Sequence, residues 1–219
     1  LNGKNSSIIQ IKQEDKTIVA PVTEVANTKS KLLDPIIISS THPDQEKWYS
    51  LSTASFNWKI PNTATSIKTL YNKTPDSNPT ITYDNSVTQK TLNDLQDRVF
   101  YFHFRYYDGA WSPVAHYKFK IDTTAPNAFN PIVKSSDNKN LLALNASDDT
   151  SGIEYYSISI DNGELLNIEN DKVINNEYEL PVLNKGEHSL IVTAYDRAGN
   201  HTESKITFVN PFSISTPEI

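Results

Sequence analysis

The sequence predicts an all-β chain built from two tandem β-sandwiches. An internal repeat, short alternating segments cut by turn residues, and the lack of long helical periodicity point to that class. The stretch Leu95–Asp108 lies over Leu183–Asp196 without a gap, at an offset of 88 residues. That is about the length of one small sandwich. Both copies open on Leu and a polar turn, continue as a strand and end in Tyr-Asp. Phe102, Phe104 and Tyr106 share one face of the first copy, and Leu190, Val192 and Ala194 take the same places in the second. This is the period-two pattern of a half-buried strand.

Strands are expected at 36–39, 55–59, 66–71, 80–83, 98–107 and 115–121, then at 132–134, 141–145, 153–160, 177–180, 188–195 and 205–209. Gly, Pro, Asn and Asp cluster between them, which is how turns punctuate a sandwich. Asp161-Asn162-Gly163 reads as a type I′ hairpin, because Asn-Gly accepts positive φ. Asn184-Lys185-Gly186 is a similar break, and 92–96 is the sole helical suspect, one turn at most. The divisions that follow are 1–34 as linker or the end of a preceding domain, 35–122 and 123–211 as the sandwiches, and 212–219 as the start of a linker. Within the first of these, Ile8–Ile11 reads as a strand closing that preceding domain. The boundary segment Asp122-Thr-Thr-Ala-Pro126 is too short for a flexible tether.

Net charge is −6, with Lys and Arg scattered among the acids and no basic stripe, so nucleic acid is excluded as a partner. There are no cysteines, which removes disulfides, thiolate metal sites and cysteine nucleophiles together. No apolar run reaches the roughly 20 residues that span a bilayer, so no membrane contact is expected from this segment. Leu1 to Ala20 lacks the apolar core of a signal peptide. The chain reads as a piece of something longer, with signal and anchor elsewhere. Catalysis fails on inventory. There is no Gly-x-Ser-x-Gly elbow, no His-Glu-x-x-His helix and no phosphate-binding loop, with 6 glycines in all. Asn-x-Ser/Thr matches at Asn5, Asn72, Asn145 and Asn200 are chance in a chain so rich in these residues.

The segment Ser55-Phe-Asn-Trp-Lys-Ile-Pro61 looks like the second strand of a fibronectin type III domain, where a core Trp precedes a Pro-bearing loop. With Ser40–Tyr49, Phe100–Phe104 and Ile121–Pro126, it resembles a bacterial surface version of that module. The second copy carries Asp148-Asp-Thr-Ser-Gly-Ile153 and Asp196-Arg-Ala-Gly-Asn200, similar to a pairing in bacterial Ig-like repeats. The first copy departs from this, with Asp108-Gly-Ala-Trp111. The likeness covers about 35–211. It implies a non-catalytic spacer or adhesion module pair of an extracellular or cell-surface protein, joined to neighbouring domains of the same polypeptide. The alternative is a carbohydrate- or protein-binding accessory module of an exported enzyme or scaffold.

Three sets of residues deserve a site reading. In a sandwich of this topology the loops after the second and sixth strands share the pole where the chain enters. That brings Asp148 and Asp149 together with Asp196 and Asn200, and the first module delivers Asp122 to the same place. Hard oxygen ligands converging there make a candidate calcium site stiffening the joint. The plainer reading is that Asp and Asn cap their own turns. Trp48, Tyr49 and Trp111 are candidate sugar-stacking aromatics, against the plainer reading that they close the sandwich ends; Trp58 is expected in the core. His103, on an outward strand face, has His116 as its expected neighbour. A shared metal is the sharp reading and exposed strand histidines the plain one.

Overall fold

The computed structural model describes residues 32–213. The expected strand at 8–11, the linker reading of residues up to 31 and that of 214–219 lie outside them. The described residues form fifteen strands in four sheets.

In the first half these are β1 (Ile36–Ser39), β2 (Trp48–Tyr49), β3 (Ala54–Lys59), β4 (Ser66–Asn72), β5 (Ile81–Asp84), β6 (Gln89–Leu92), β7 (Arg98–Tyr107) and β8 (Ala115–Ile121). They make a three-stranded sheet, β1-β3-β6, facing a five-stranded one, β2-β8-β7-β4-β5. The second half has β9 (Ile132–Ser136), β10 (Lys139–Ala143), β11 (Ile153–Ile160), β12 (Leu166–Glu169), β13 (Glu177–Glu179), β14 (Gly186–Asp196) and β15 (His201–Asn210). Here the sheets are β13-β10-β9 and β12-β11-β14-β15. The fold is therefore a tandem pair of β-sandwiches, each burying the inner faces of its two sheets.

Each half has its own core. In the first, alternate residues of β7, Phe100, Phe102, Phe104 and Tyr106, are buried against Phe56 and Trp58 of β3. Phe56 and Phe102 stack at 4.4 Å, and Trp58 and Phe104 at 4.5 Å. The second core is mainly aliphatic, with Leu142, Ile158, Ile168, Leu190 and Val192 at its centre.

Three strands go beyond the sequence expectation: β2, β6 and β12. The two-residue β2 runs parallel to β8, with Trp48 opposite Lys120 and Tyr49 opposite Ile121. Residues 92–96 form no helical turn; among the described residues the one helical element is a 3-10 turn at Asn170–Lys172. The β11–β12 turn also sits one residue earlier than expected. Positive φ falls on Asp161 (51°) and Asn162 (58°), not on Gly163. Gly163 serves by close approach instead: its N–H donates to the Ile160 carbonyl at 2.8 Å, and a Cβ there would stand 3.0 Å from that same oxygen. Turns at Asp137-Asn138 and Asn175-Asn176 use the same positive-φ pairing without glycine.

His103 does lie on the outward face of β7, opposite His116, yet it is wholly buried. Asn72, at the end of β4, reaches its ring, and the Thr74 backbone lies beside it. The plain expectation of an exposed strand histidine fails because the chain leaving β4 covers that face.

Candidate functional site: the joint between the sandwiches

β8 ends at Ile121, so Asp122 is the first residue past the sheet. Its N–H still pairs with the Tyr49 carbonyl at 3.0 Å, which holds it against the first sandwich. Its side chain is wholly buried and works forward. One carboxylate oxygen accepts the Thr124 N–H at 3.2 Å, and the other accepts the Ser151 N–H of the second sandwich at 3.0 Å.

Two loops of the second sandwich meet it. In 148–152, Asp148 Oδ1 accepts the N–H groups of Thr150 (3.0 Å), Ser151 (2.8 Å) and Gly152 (2.8 Å). The turn closes because Gly152 takes φ of 77°, a conformation costly for a residue with Cβ. Between β14 and β15, Asp196 Oδ1 accepts from the Ala198 and Asn200 N–H groups at 2.8 and 2.9 Å. The Asn200 amide nitrogen lies 2.8 Å from both Asp196 Oδ2 and the Asp122 carbonyl, and 3.3 Å from the Thr124 carbonyl. Arg197 ties the two loops together by donating to the Ser151 carbonyl at 2.8 Å.

The first sandwich grips the same segment from behind. Asp97, in the turn before β7, accepts the N–H and hydroxyl of Thr123, each at 2.8 Å, and the Thr124 hydroxyl at 2.5 Å. Further along, Thr202 donates to the Pro126 carbonyl at 2.6 Å, and the Asn127 N–H reaches the Ser147 carbonyl at 2.8 Å.

The structure thus brings together Asp122, Asp148, Asp196 and Asn200, while Asp149 is exposed and stands outside the group. One carboxylate oxygen from each of the three aspartates lies within 4.8 Å of the others. That spacing suits a hard cation with oxygens at about 2.4 Å. No lysine, arginine or histidine forms a salt bridge with any of the three among the described residues. Burial, and then the nearby Asp148 and Asp196 charges, hold the Asp122 carboxyl above its ordinary range, against the pull of its bonds to Ser151 and Thr124. Asp97 lies below its ordinary range: burial raises it, but the hydroxyl and amide donors of Thr123 and Thr124 outweigh burial. Asp97 and Ser151 were not singled out in the sequence. A polar residue ending the 93–97 turn just before the repeat strand was the available signal for the first.

The aromatic candidates do not assemble. Tyr49 packs on His42 at 4.7 Å, and its hydroxyl accepts the Asp44 N–H at 2.9 Å. Trp48 lies under the Lys120 ammonium at 5.9 Å and borders a 420 Å³ cleft with Glu154 and Arg197 of the second sandwich. Trp111 sits at the other end of the sheet, bridged to Tyr107 and beneath the Lys68 and Arg105 cations at 4.5 and 4.9 Å. Val99, in register with Lys120 and so with Trp48, is eight residues along β7 from Tyr107. At about 3.3 Å per residue the two backbone positions stand roughly 26 Å apart along the strand. Trp58 is in the core as expected. His103 and His116 are brought together, their Nδ1 atoms 2.7 Å apart.

No protein-family model matches the chain, and no curated protein does. Among solved structures the chain is similar to the fibronectin(III)-like modules of Clostridium thermocellum CbhA, at 12% identity and a TM-score of 0.44, covering 80% of this chain and 94% of that one. It is also similar to a segment of two fibronectin type III domains from chicken tenascin, at 10% identity and a TM-score of 0.33, covering 80% and 97%. Both are described as fibronectin type III or fibronectin(III)-like, and the sandwich fold of this chain rests on its own strand pairing.

Proposed function

We propose that this chain is a non-catalytic spacer of an extracellular surface protein, in which two sandwiches are held at a fixed angle to extend or present neighbouring domains of the same polypeptide. The observation that carries this reading is the double grip on residues 122–127. Asp97 binds the segment to the first sandwich, while Ser151, Asn200, Thr202 and Ser147 bind it to the second. A flexible tether would leave those backbone groups to water. Nitrogen-15 relaxation tests it: both sandwiches are expected to tumble with one shared correlation time. Two separate, shorter times would overturn the rigid-spacer reading.

A second reading concerns how the joint is completed. Three carboxylates with no cationic side-chain partner, two of them wholly buried, favour a calcium ion among Asp122, Asp148 and Asp196, with Asn200 tying Asp196 to the linker. The buried Ser151 hydroxyl, beside this cluster in sequence, has no hydrogen-bond partner. The ion would relieve the repulsion between the three acids and lock the angle further. A carbohydrate-binding role draws less support, since Trp48 and Trp111 stand at opposite ends of one sheet.

A further inference from the structure

The geometry points to a copper-type metal site on the outer face of the first sandwich, formed by the Nδ1 atoms of His103 and His116 and oriented by Asn72. The two histidines are directly opposite on β7 and β8, and their Nδ1 atoms are 2.7 Å apart.

The protons in this cluster can be placed by its partners. Asn72 accepts the Thr74 N–H at 2.9 Å and donates to the Ser77 hydroxyl at 2.8 Å, so the atom facing His103 Nε2 at 3.1 Å is the amide oxygen. An amide oxygen only accepts, which requires the hydrogen of His103 on Nε2. Nδ1 of His103 therefore presents a lone pair towards His116. An imidazole whose other nitrogen donates to a carbonyl is the usual arrangement of a metal-bound histidine.

In the metal-free pair, His116 fills the gap with its own Nδ1–H. A cation binding there displaces that hydrogen and sits to one side of the line between the two nitrogens, and His116 stays neutral by carrying its proton on Nε2 instead. No proton is lost overall and no redox partner is needed. His116 is exposed, which gives an ion a route from solvent and lets this ring adjust.

Ligand geometry and the order of affinity together favour one metal. Two nitrogens bound at about 2.0 Å in adjacent positions of a square plane stand about 2.8 Å apart, whereas a tetrahedral zinc centre sets them about 3.3 Å apart. The observed 2.7 Å is an N–H···N hydrogen-bond length; both rings must turn to aim their lone pairs at an ion, and the square plane asks for the smaller change in separation. Cu²⁺ also heads the order of affinity for imidazole nitrogen. The remaining positions would be filled by water. Bound metal would clip the last two strands of the first sandwich, far from the carboxylates of the joint. The inference is independent of the spacer reading.

The test is calorimetric titration of the chelator-washed chain with Cu²⁺ and, separately, Zn²⁺, with electron paramagnetic resonance of the copper form. One Cu²⁺ per chain is expected, with nitrogen hyperfine structure and at least tenfold tighter binding than Zn²⁺. His116→Ala and His116→Gln should each weaken copper at least tenfold while the metal-free melting temperature holds. The glutamine amide can still donate to His103 Nδ1, so it separates loss of a ligand from loss of a hydrogen bond. Absence of saturable binding, or wild-type affinity in both variants, would overturn the site. Zinc binding as tight as copper would overturn the square-planar assignment.

Discussion

Replacing Asp122 by Ala should uncouple the two sandwiches. The substitution removes the acceptor of the Thr124 N–H and one of two acceptors of the Ser151 N–H, which keeps Asp148 at 2.8 Å. Hydrogen bonds to a charged group are worth about 1.5–3 kcal/mol. Against this stands relief of the burial cost, and then of the repulsion from Asp148 and Asp196, that together raise the Asp122 pKa. A net loss of about 2 kcal/mol in the coupling is the working figure. All three tryptophans, Trp48, Trp58 and Trp111, lie in the first sandwich, so indole fluorescence reports chiefly that half, through Trp58 in its core, while circular dichroism reports both. In urea, with chelator present, the wild-type transitions by the two probes should coincide, as they do for one cooperative unit. At a slope near 1–2 kcal/mol per molar for a small sandwich, Asp122→Ala should move the second half's midpoint down by about 1–2 M and split the curves. Coincident transitions at the wild-type midpoint would refute the account of the joint. So would a shift confined to tryptophan fluorescence.

Other outcomes follow from the same structure. Phe102→Ala removes a wholly buried ring stacked on Phe56 and should cost about 3–5 kcal/mol, read as the tryptophan-detected urea midpoint. His103 is held neutral in the fold, with its pKa lowered to about 4 from 6.5. The unfolded chain therefore takes up the proton first, and stability should fall as pH drops from about 6.5 to 4 and then level off, by at most about 3 kcal/mol. A His103→Gln variant lacking that slope checks the assignment; an unchanged slope contradicts it. On the calcium reading, millimolar Ca²⁺ raises the melting temperature over chelator, and Asp148→Asn removes the rise. An identical melting temperature in both buffers removes calcium from the joint and leaves the aspartates as turn caps.

How legible was this in the sequence? The alternation of Phe102, Phe104 and Tyr106 made β7 plain, because a strand with one face in the core must repeat every second residue. The convergence of Asp122, Asp148 and Asp196 was also readable, since it follows from which loops share a pole once the sandwich is granted. Asp149 could not be separated from Asp148, because neighbouring loop residues point apart for reasons of local dihedral angle. β2 was hidden for a different reason. Two residues carry no periodicity, and Trp48–Tyr49 forms a strand only because the edge of β8 offers it partners. The burial of His103 was invisible for the same kind of reason: the cover comes from the chain beyond β4, and no pattern within β7 encodes it.

The bonds along residues 122–127 have a consequence for any longer assembly. A joint gripped from both sides passes on its own rotation as well as its length. If such joints recur along a polypeptide, each adds the same bend and twist, and the array winds as a coil of set pitch. Reach from a surface would then grow in equal steps with the number of sandwiches, not with the square root expected of loosely strung beads.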